Sequence, residues 1–427
     1  MKKVYLFSIV ILIAGILSSC GIKKEEGKNP ESNAGKTGET EITLMIPDWG
    51  VPTEEMLAEF KAETGITVKV LPTAWDDIKS KISVAAAGKK TPADVIEVDW
   101  SWTGEFVSAG WLEELSIDEA TQKDIPALSY FRVKDKVYAM PYANGIRLTY
   151  INTEMFEKAG IKPEKYPKSW NEMETAFDKI KASGAVEYPM LFPMSAEEKT
   201  STSFYTLAYT KNGKIFNDDD TLNKESALDV LKMLRKYLDK GYINPADVTQ
   251  PGMDVFRGIN NANGALLIGP TSHITSTNDP EKSKVVGKIT TIPAMTQTGE
   301  AKETVTFIEA VGISSFSENK EAARKFVEWF SRPETQLKLN KALSVIPTRT
   351  TVIETMVKDG IIKTPGAIIE QSRIVATPFP NGVPKYYTKM STEIFNIIYQ
   401  MGQGKLTPEE AADLMEEKVN TLVKENK

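Results

Sequence analysis

Hydrophobic and polar positions between residues 42 and 98 repeat with two different periods that alternate along the chain. Residues 42–46, 66–70 and 94–98 form the short apolar or alternating runs typical of β-strands, and Pro47 ends the first. Residues 53–63 and 76–87 place apolar side chains at helical spacing, and Gly65 and Gly88 follow as stop signals. This order predicts an α/β fold with a parallel sheet covered by helices.

Tryptophan and aspartate come directly after two of these strands. Asp48 and Trp49 follow the first strand, and Asp99, Trp100 and Trp102 follow the third. Ligands of open α/β sheets bind beyond the carboxyl ends of the strands. For any single tryptophan, packing at the edge of the core explains the position equally well. Two such pairs at corresponding strand ends favour a pocket.

The amino-terminal pattern is that of an exported protein. Lys2 and Lys3 precede an apolar stretch at residues 4–17, which is shorter than the ~20 residues that span a bilayer. The following Leu17-Ser18-Ser19-Cys20 resembles the bacterial lipobox and contains the only cysteine. We therefore expect residues 1–20 to be a lipoprotein signal peptide with Cys20 lipidated; an ordinary signal peptide is the alternative. Residues 21–40 are almost wholly polar, which predicts a flexible tether.

The composition of the chain argues against several classes of function. Without residues 1–20 the chain has 50 basic and 58 acidic side chains, a formal net charge of −8, which argues against nucleic-acid binding. His273 is the only histidine, so the sequence lacks the residues for a His/Cys zinc site and offers only one candidate base for a Ser-His-Asp triad. We expect His273 in a loop or a pocket wall. The acidic run at residues 217–220 lacks the later glycine and glutamate of a calcium loop. The sequence predicts no cofactor, no metal and no catalytic residue.

A series of short motifs then appears in a recognisable order. The motifs lie at residues 93–100, 109–115, 137–142, 148–152, 156–160, 167–172, 263–270 and 319–326. Together with the lipobox, this ordered set resembles the family 1 extracellular solute-binding proteins of ABC importers, the maltose-binding-protein-like receptors. The resemblance extends from about residue 42 to 424, although each motif alone is weak.

The resemblance implies a two-lobed periplasmic-binding-protein-like fold of type II, with the ligand in the cleft between the lobes. The first lobe would comprise residues 41–147 and 309–346, and the second residues 148–308 and 347–427. Arg147 would lie on the first crossing between the lobes and Glu309 on the return crossing. Our hypothesis for the hinge is an ion pair between these two side chains that fixes the lobe angle. Two separately solvated side chains are the alternative.

A sugar receptor needs flat aromatic surfaces and carboxylates that accept hydroxyl hydrogen bonds. Trp49, Asp99, Trp100 and Tyr142 are the leading candidates, followed by Asp48, Trp102, Asn144, Thr271, Tyr386 and Tyr387. Thr271 stands in a loop where several oligosaccharide receptors of the family have a tryptophan, which argues against a long maltodextrin-like ligand. Tyr386 and Tyr387 fall where the family often places an aromatic sugar platform, and ordinary helix packing is the alternative.

The sequence thus predicts a non-catalytic receptor that captures a carbohydrate by lobe closure and delivers it to an ABC permease. We expect a monomer in the cell envelope, anchored by lipid to the outer face of a bacterial membrane. Its partners would be a small solute and the transmembrane subunits of the permease. One alternative is a receptor for another polar solute, such as glycerol phosphate or a polyamine. The other is a secreted carbohydrate hydrolase, since two carboxylates can act without histidine.

Overall fold

The strands of this computed structural model form two main sheets and one short hairpin. It describes residues 40–363 and 365–427. The strands of that part are β1 (Thr40–Ile46), β2 (Ile66–Pro72), β3 (Val95–Asp99), β4 (Arg132–Val133), β5 (Lys136–Val137), β6 (Met140–Ala143), β7 (Arg147–Asn152), β8 (Met190–Leu191), β9 (Leu266–Pro270), β10 (Ile289–Ile292) and β11 (Glu309–Ile313).

Helices cover both sheets. They are α1 (Glu54–Thr64), α2 (Trp75–Ala87), α3 (Thr103–Ser108), α4 (Glu119–Asp124), α5 (Thr153–Lys158), α6 (Trp170–Ala182), α7 (Glu198–Asn212), α8 (Lys224–Asp239), α9 (Gly252–Arg257), α10 (Ser272–Ser276), α11 (Lys320–Phe330), α12 (Pro333–Leu343), α13 (Thr350–Lys358), α14 (Ile368–Arg373), α15 (Tyr387–Gly402) and α16 (Pro408–Asn426). Short 3-10 turns follow β1 and β3, at Asp48–Gly50 and Trp100–Trp102.

The first sheet has the order β2-β1-β3-β11-β6. β1 runs parallel to β2 and β3, as the alternating periods predict, and Thr53 and Gly65 cap α1 between β1 and β2. β11 lies antiparallel between β3 and β6, so the sheet is mixed rather than wholly parallel. β3 is buried along its whole length, including the carboxyl groups of Glu97 and Asp99.

The second sheet has the order β10-β7-β9-β8, with β7 antiparallel to both neighbours. Helices α7, α8, α15 and α16 pack together beside it. A capping box of Thr407 and Glu410 starts α16. The Ser169 hydroxyl caps α6, whereas the Glu172 carboxylate accepts from the Lys168 N–H.

Three stretches of chain connect the sheets side by side. The link from β6 to β7 pairs with the strand that returns to β11: Arg147 N–H donates to Val305 O at 3.0 Å, and Phe307 N–H donates to Gly145 O at 3.4 Å. Asn144 N–H donates to Ile346 O of the third stretch at 2.8 Å. Arg147 begins β7 in the second sheet, although the sequence assigned it to the first lobe.

The predicted signal peptide, Cys20 and nearly all of the tether lie outside the described residues. Thr40, the last residue of the predicted tether, already belongs to β1. Within the described ranges, no helix combines the length and the hydropathy needed to cross a bilayer.

Candidate functional site

A cleft of about 830 Å³ opens between the two sheets. Trp49, Trp75 and Asp99 line it from the first sheet, and Lys199 and Thr271 from the second. The connecting stretches form its floor, with Asn144, Phe307 and Glu309 among the lining residues. The site is therefore built at the carboxyl ends of β1 and β3, where the α/β pattern places ligands.

Trp49 presents the largest exposed aromatic surface in the cleft. It lies in the turn after β1, and 46% of its surface is accessible. Its indole Nε1 donates to Glu309 Oε2 at 2.8 Å, which fixes the orientation of both side chains. Trp49 can therefore offer a rigid flat surface to a ligand.

Trp75 forms a second aromatic surface that the sequence analysis did not propose. It is the first residue of α2, directly after β2, and its ring packs on Trp102 with centroids 5.3 Å apart. Trp102 itself is buried and supports Trp75 from behind the cleft lining. The signal was available in the sequence, because Trp75 follows β2 as Trp49 follows β1.

Asp99 supplies a carboxylate with a free oxygen. Its Oδ1 accepts from the Ser101 N–H at 2.9 Å and from the Ser101 hydroxyl, whereas Oδ2 has no partner among the described residues. The side chain is only 8% exposed, and burial raises the pKa of Asp99 to about 6. Because Asp99 lines the cleft, its free oxygen is available to accept a ligand hydroxyl.

A buried network lies beneath Asp99 and Trp49. The Tyr142 hydroxyl is 3.0 Å from Glu97 Oε2 and 3.4 Å from Glu309 Oε2. Burial, followed by the charge of Glu309, raises the pKa of Glu97 well above its ordinary value. Burial is also the main cause that raises the pKa of Glu309 to about 7. Tyr142 is 1% exposed, so it supports Glu309 and does not line the cleft as predicted.

Trp100 was predicted to line the cleft, but it lies in the core. It is 4% exposed and sits in an aromatic cluster, with ring centroids 4.7 Å from both Phe307 and Tyr387. Tyr387 belongs to α15, which packs against α7, α8 and α16, so this contact joins that helical group to the turn after β3. Trp100 therefore packs next to the cleft rather than on its open surface.

The remaining predicted aromatics also lie outside the cleft lining. Tyr387 is buried and its hydroxyl donates to Glu198, while Tyr386 is half-buried at the start of α15. Burial raises the pKa of Glu198 to about 7, and Ser391 donates to its other oxygen at 2.6 Å. Asp48 is exposed and is not among the residues that line the cleft.

Asn144 and Thr271 line the cleft, but their polar groups are engaged with the chain. Asn144 Nδ2 donates to Pro347 O at 3.2 Å, and its Oδ1 accepts from Ile146 N–H and from the Thr306 hydroxyl. The Thr271 hydroxyl donates to Asn144 O. Asn144 therefore ties the three connecting stretches together, and a ligand would compete with those bonds.

The hypothesised ion pair of Arg147 and Glu309 is not formed. Glu309 accepts from Trp49, whereas the Arg147 guanidinium carbon lies 4.9 Å from the centroid of the Phe307 ring. The two residues end neighbouring connections, but they begin strands of different sheets and contact different partners. His273 is buried beside this region, and burial lowers its pKa to about 4, so it is neutral at pH 7.

Comparison with known proteins identifies this architecture. Residues 46–337, more than half of the chain, match the family model described as bacterial extracellular solute-binding protein. A binding protein of Brucella abortus (strain 2308) is 27% identical over 320 residues, covering 72% of this chain and 76% of that protein. The galactooligosaccharide-binding protein of Bacillus subtilis (strain 168) is 21% identical, covering 99% and 98%.

A solved structure shares the fold. The sugar-binding protein MalE from Xanthomonas citri has a TM-score of 0.76 at 19% identity, covering 90% of this chain and 98% of that one.

Proposed function

Because the chain belongs to the bacterial extracellular solute-binding proteins, which serve ABC transporters, we propose that it captures a carbohydrate between its two sheets and delivers it to a membrane permease. The family consists of binding proteins rather than enzymes, which removes the hydrolase alternative. Residues 41–147 with 309–346 and residues 148–308 with 347–427 would act as the two lobes, except that Arg147 moves with the second sheet.

The observation that carries this proposal is the pairing of aromatic faces with carboxylates in one cleft. Trp49 and Trp75 offer flat apolar surfaces, and Asp99 and Glu309 offer acceptor oxygens. A sugar ring presents a weakly polar C–H face and a rim of hydroxyl donors, so its two kinds of surface match the two kinds of side chain. The galactooligosaccharide- and sugar-binding relatives support the same class of ligand.

The test is a thermal-shift screen of the purified protein against mono- and oligosaccharides and against other polar solutes. A bound sugar at 100 times its Kd should stabilise the folded state by about 2.7 kcal/mol. Trp49→Ala should weaken binding of the best sugar roughly thirtyfold, the loss of a hot-spot aromatic worth about 2 kcal/mol. Trp111→Ala, a partly buried tryptophan outside the cleft, is the matched control. A polyamine as the best ligand would replace the carbohydrate assignment.

A further inference from the structure

Arg147 is a buried cation whose side chain forms no hydrogen bond with the described part of the chain. Only 8% of its surface is exposed, and its Nε is completely buried. Nε has no hydrogen-bond partner, and the terminal nitrogens form no hydrogen bond or ion pair with residues 40–363 and 365–427. A guanidinium is always a donor and never an acceptor, so it requires oxygen atoms that the described chain does not supply.

The surroundings of Arg147 accommodate its charge only partly. Its guanidinium carbon lies 4.9 Å from the centroid of the Phe307 ring and 5.9 Å from that of Phe256. Burial lowers the pKa of Arg147 to about 10, so the group stays charged at neutral pH. Stacking on aromatic rings offsets part of the desolvation cost, but an unpaired buried charge remains unfavourable. A buried and unpaired guanidinium is typical of a residue whose partner is a bound ligand.

The position of Arg147 relative to the cleft supports this interpretation. Phe307, on which it stacks, lines the cleft, and so does Pro270, its partner across the β7–β9 ladder. Lys199 lines the same side, and its ammonium forms no ion pair or hydrogen bond with the described part of the chain. Lys199 thus lies on the wall of the second sheet, and Arg147 lies behind that wall, next to Phe307 and Pro270.

The opposite wall carries the free acceptors. Asp99 and Glu309 face the cleft from the first sheet, and the aromatic surfaces of Trp49 and Trp75 lie beside them. On the second side, Asp279 lines the cleft in an ion pair with Lys282, and Glu198 is occupied by the hydroxyls of Tyr387 and Ser391. The cleft therefore has one wall suited to hydroxyl donors and one suited to an oxyanion.

We propose that the solute is an acidic carbohydrate, whose carboxylate or phosphate group is bound by Arg147 while its hydroxyl groups bond to Asp99 and Glu309. A guanidinium can hold an oxyanion through two parallel hydrogen bonds, which are stronger than bonds between neutral groups. This inference deepens the proposed function and rests on it, because it assumes that the cleft binds a sugar.

The binding experiment compares matched neutral and acidic sugars by calorimetry at low salt. The probes are galactose, galacturonate and galactose 6-phosphate, the corresponding glucose series, and disaccharides of each kind. An acidic member should bind roughly tenfold or more tightly than its neutral counterpart. The carboxylate and phosphate arms distinguish the two sources of the anion. Equal affinity for neutral and acidic members overturns the inference and leaves the sugar receptor intact, whereas binding of no sugar overturns both.

Two substitutions separate a ligand-binding role from a structural one. Arg147→Met removes the charge and keeps an apolar stem, so it should abolish the preference for acidic sugars without lowering the melting temperature of the free protein. Arg147→Lys keeps the charge and should retain part of the preference. Arg324→Met, on an outer helix away from the cleft, is the control. An unchanged preference for acidic sugars in Arg147→Met, or the same loss of preference in Arg324→Met, overturns the inference.

Discussion

The carboxyl groups of Asp99 and Glu309 have raised pKa values, because burial makes their charged form unfavourable. The pKa of Asp99 is raised to about 6, and that of Glu309 to about 7. In the unfolded chain both groups ionise near their ordinary values, about 4. Between the ordinary and the raised values, the folded protein holds protons that the unfolded chain has released. These groups therefore make the protein less stable as the pH rises through that window.

Glu309→Gln should reduce this pH dependence. We expect the ligand-free wild type to lose more stability than the variant between about pH 5 and about pH 7.5, by on the order of 2 kcal/mol. His273 acts in the opposite direction, since its lowered pKa makes it destabilising as the pH falls, but it is present in both proteins. Urea unfolding at several pH values measures the difference. Parallel curves for the two proteins would contradict the raised pKa of Glu309.

Trp100 and Trp49 should respond differently to truncation. Trp100→Ala empties the centre of a buried aromatic cluster and should lower the free energy of unfolding by about 3–5 kcal/mol. Trp49→Ala removes a half-exposed ring and should change stability far less. Chemical denaturation of both variants makes the comparison, and similar losses would show that Trp49 is also a core residue.

The contrast between the buried Trp100 and the half-exposed Trp49 shows how much of a residue's placement can be predicted from the sequence. The strand-end position of Trp49, Asp99 and Trp100 follows from local pattern, and all three lie at strand ends. Whether a side chain points into the cleft or into the core depends on neighbours far along the chain. Trp100 turns inward because Phe307 and Tyr387, which are distant in sequence, surround it.

Secondary-structure elements show the same division between local and distant causes. β1, α1, β2 and α2 lie within one or two residues of their predicted bounds, because apolar spacing and caps such as Thr53 and Gly65 are local features. The antiparallel insertion of β11 between β3 and β6 is absent from that pattern. β11 pairs with β3 and β6, which are distant from it in sequence, and a local motif carries no information about such pairing.

The connecting stretches between the sheets give a prediction at this scale. A Cβ atom on Gly145 would lie 2.0 Å from Phe307 O, so Gly145→Ala must push two connections apart. We expect a loss of several degrees in melting temperature and weaker ligand binding, since the spacing of the two sheets changes. Gly88→Ala is the control, because its Cβ would meet only Ala85 O at 3.4 Å. Equal melting temperatures for the two variants would mean that the connections tolerate the displacement.

For the whole molecule, the proposed delivery of a solute to a permease would take place at the membrane surface. The predicted lipid on Cys20 supplies that position, and stable anchoring requires more than one acyl chain. Cys20→Ala should move the protein from the membrane fraction into the soluble fraction of cells that express it. Ser19→Ala is a suitable neighbour control. Retention of the Cys20→Ala protein on membranes after a high-salt wash would refute the anchor.

The place of β11 in the first sheet also constrains the time course of folding. A chain that emerges amino end first exposes β1, β2 and β3 long before residues 309–313 arrive to cover the open edge of β3. Pairings between such distant segments form slowly, because the intervening chain must first be closed into a loop. The first sheet therefore stays incomplete through most of synthesis. A protein that must be threaded through a membrane pore before it folds gains from this delay.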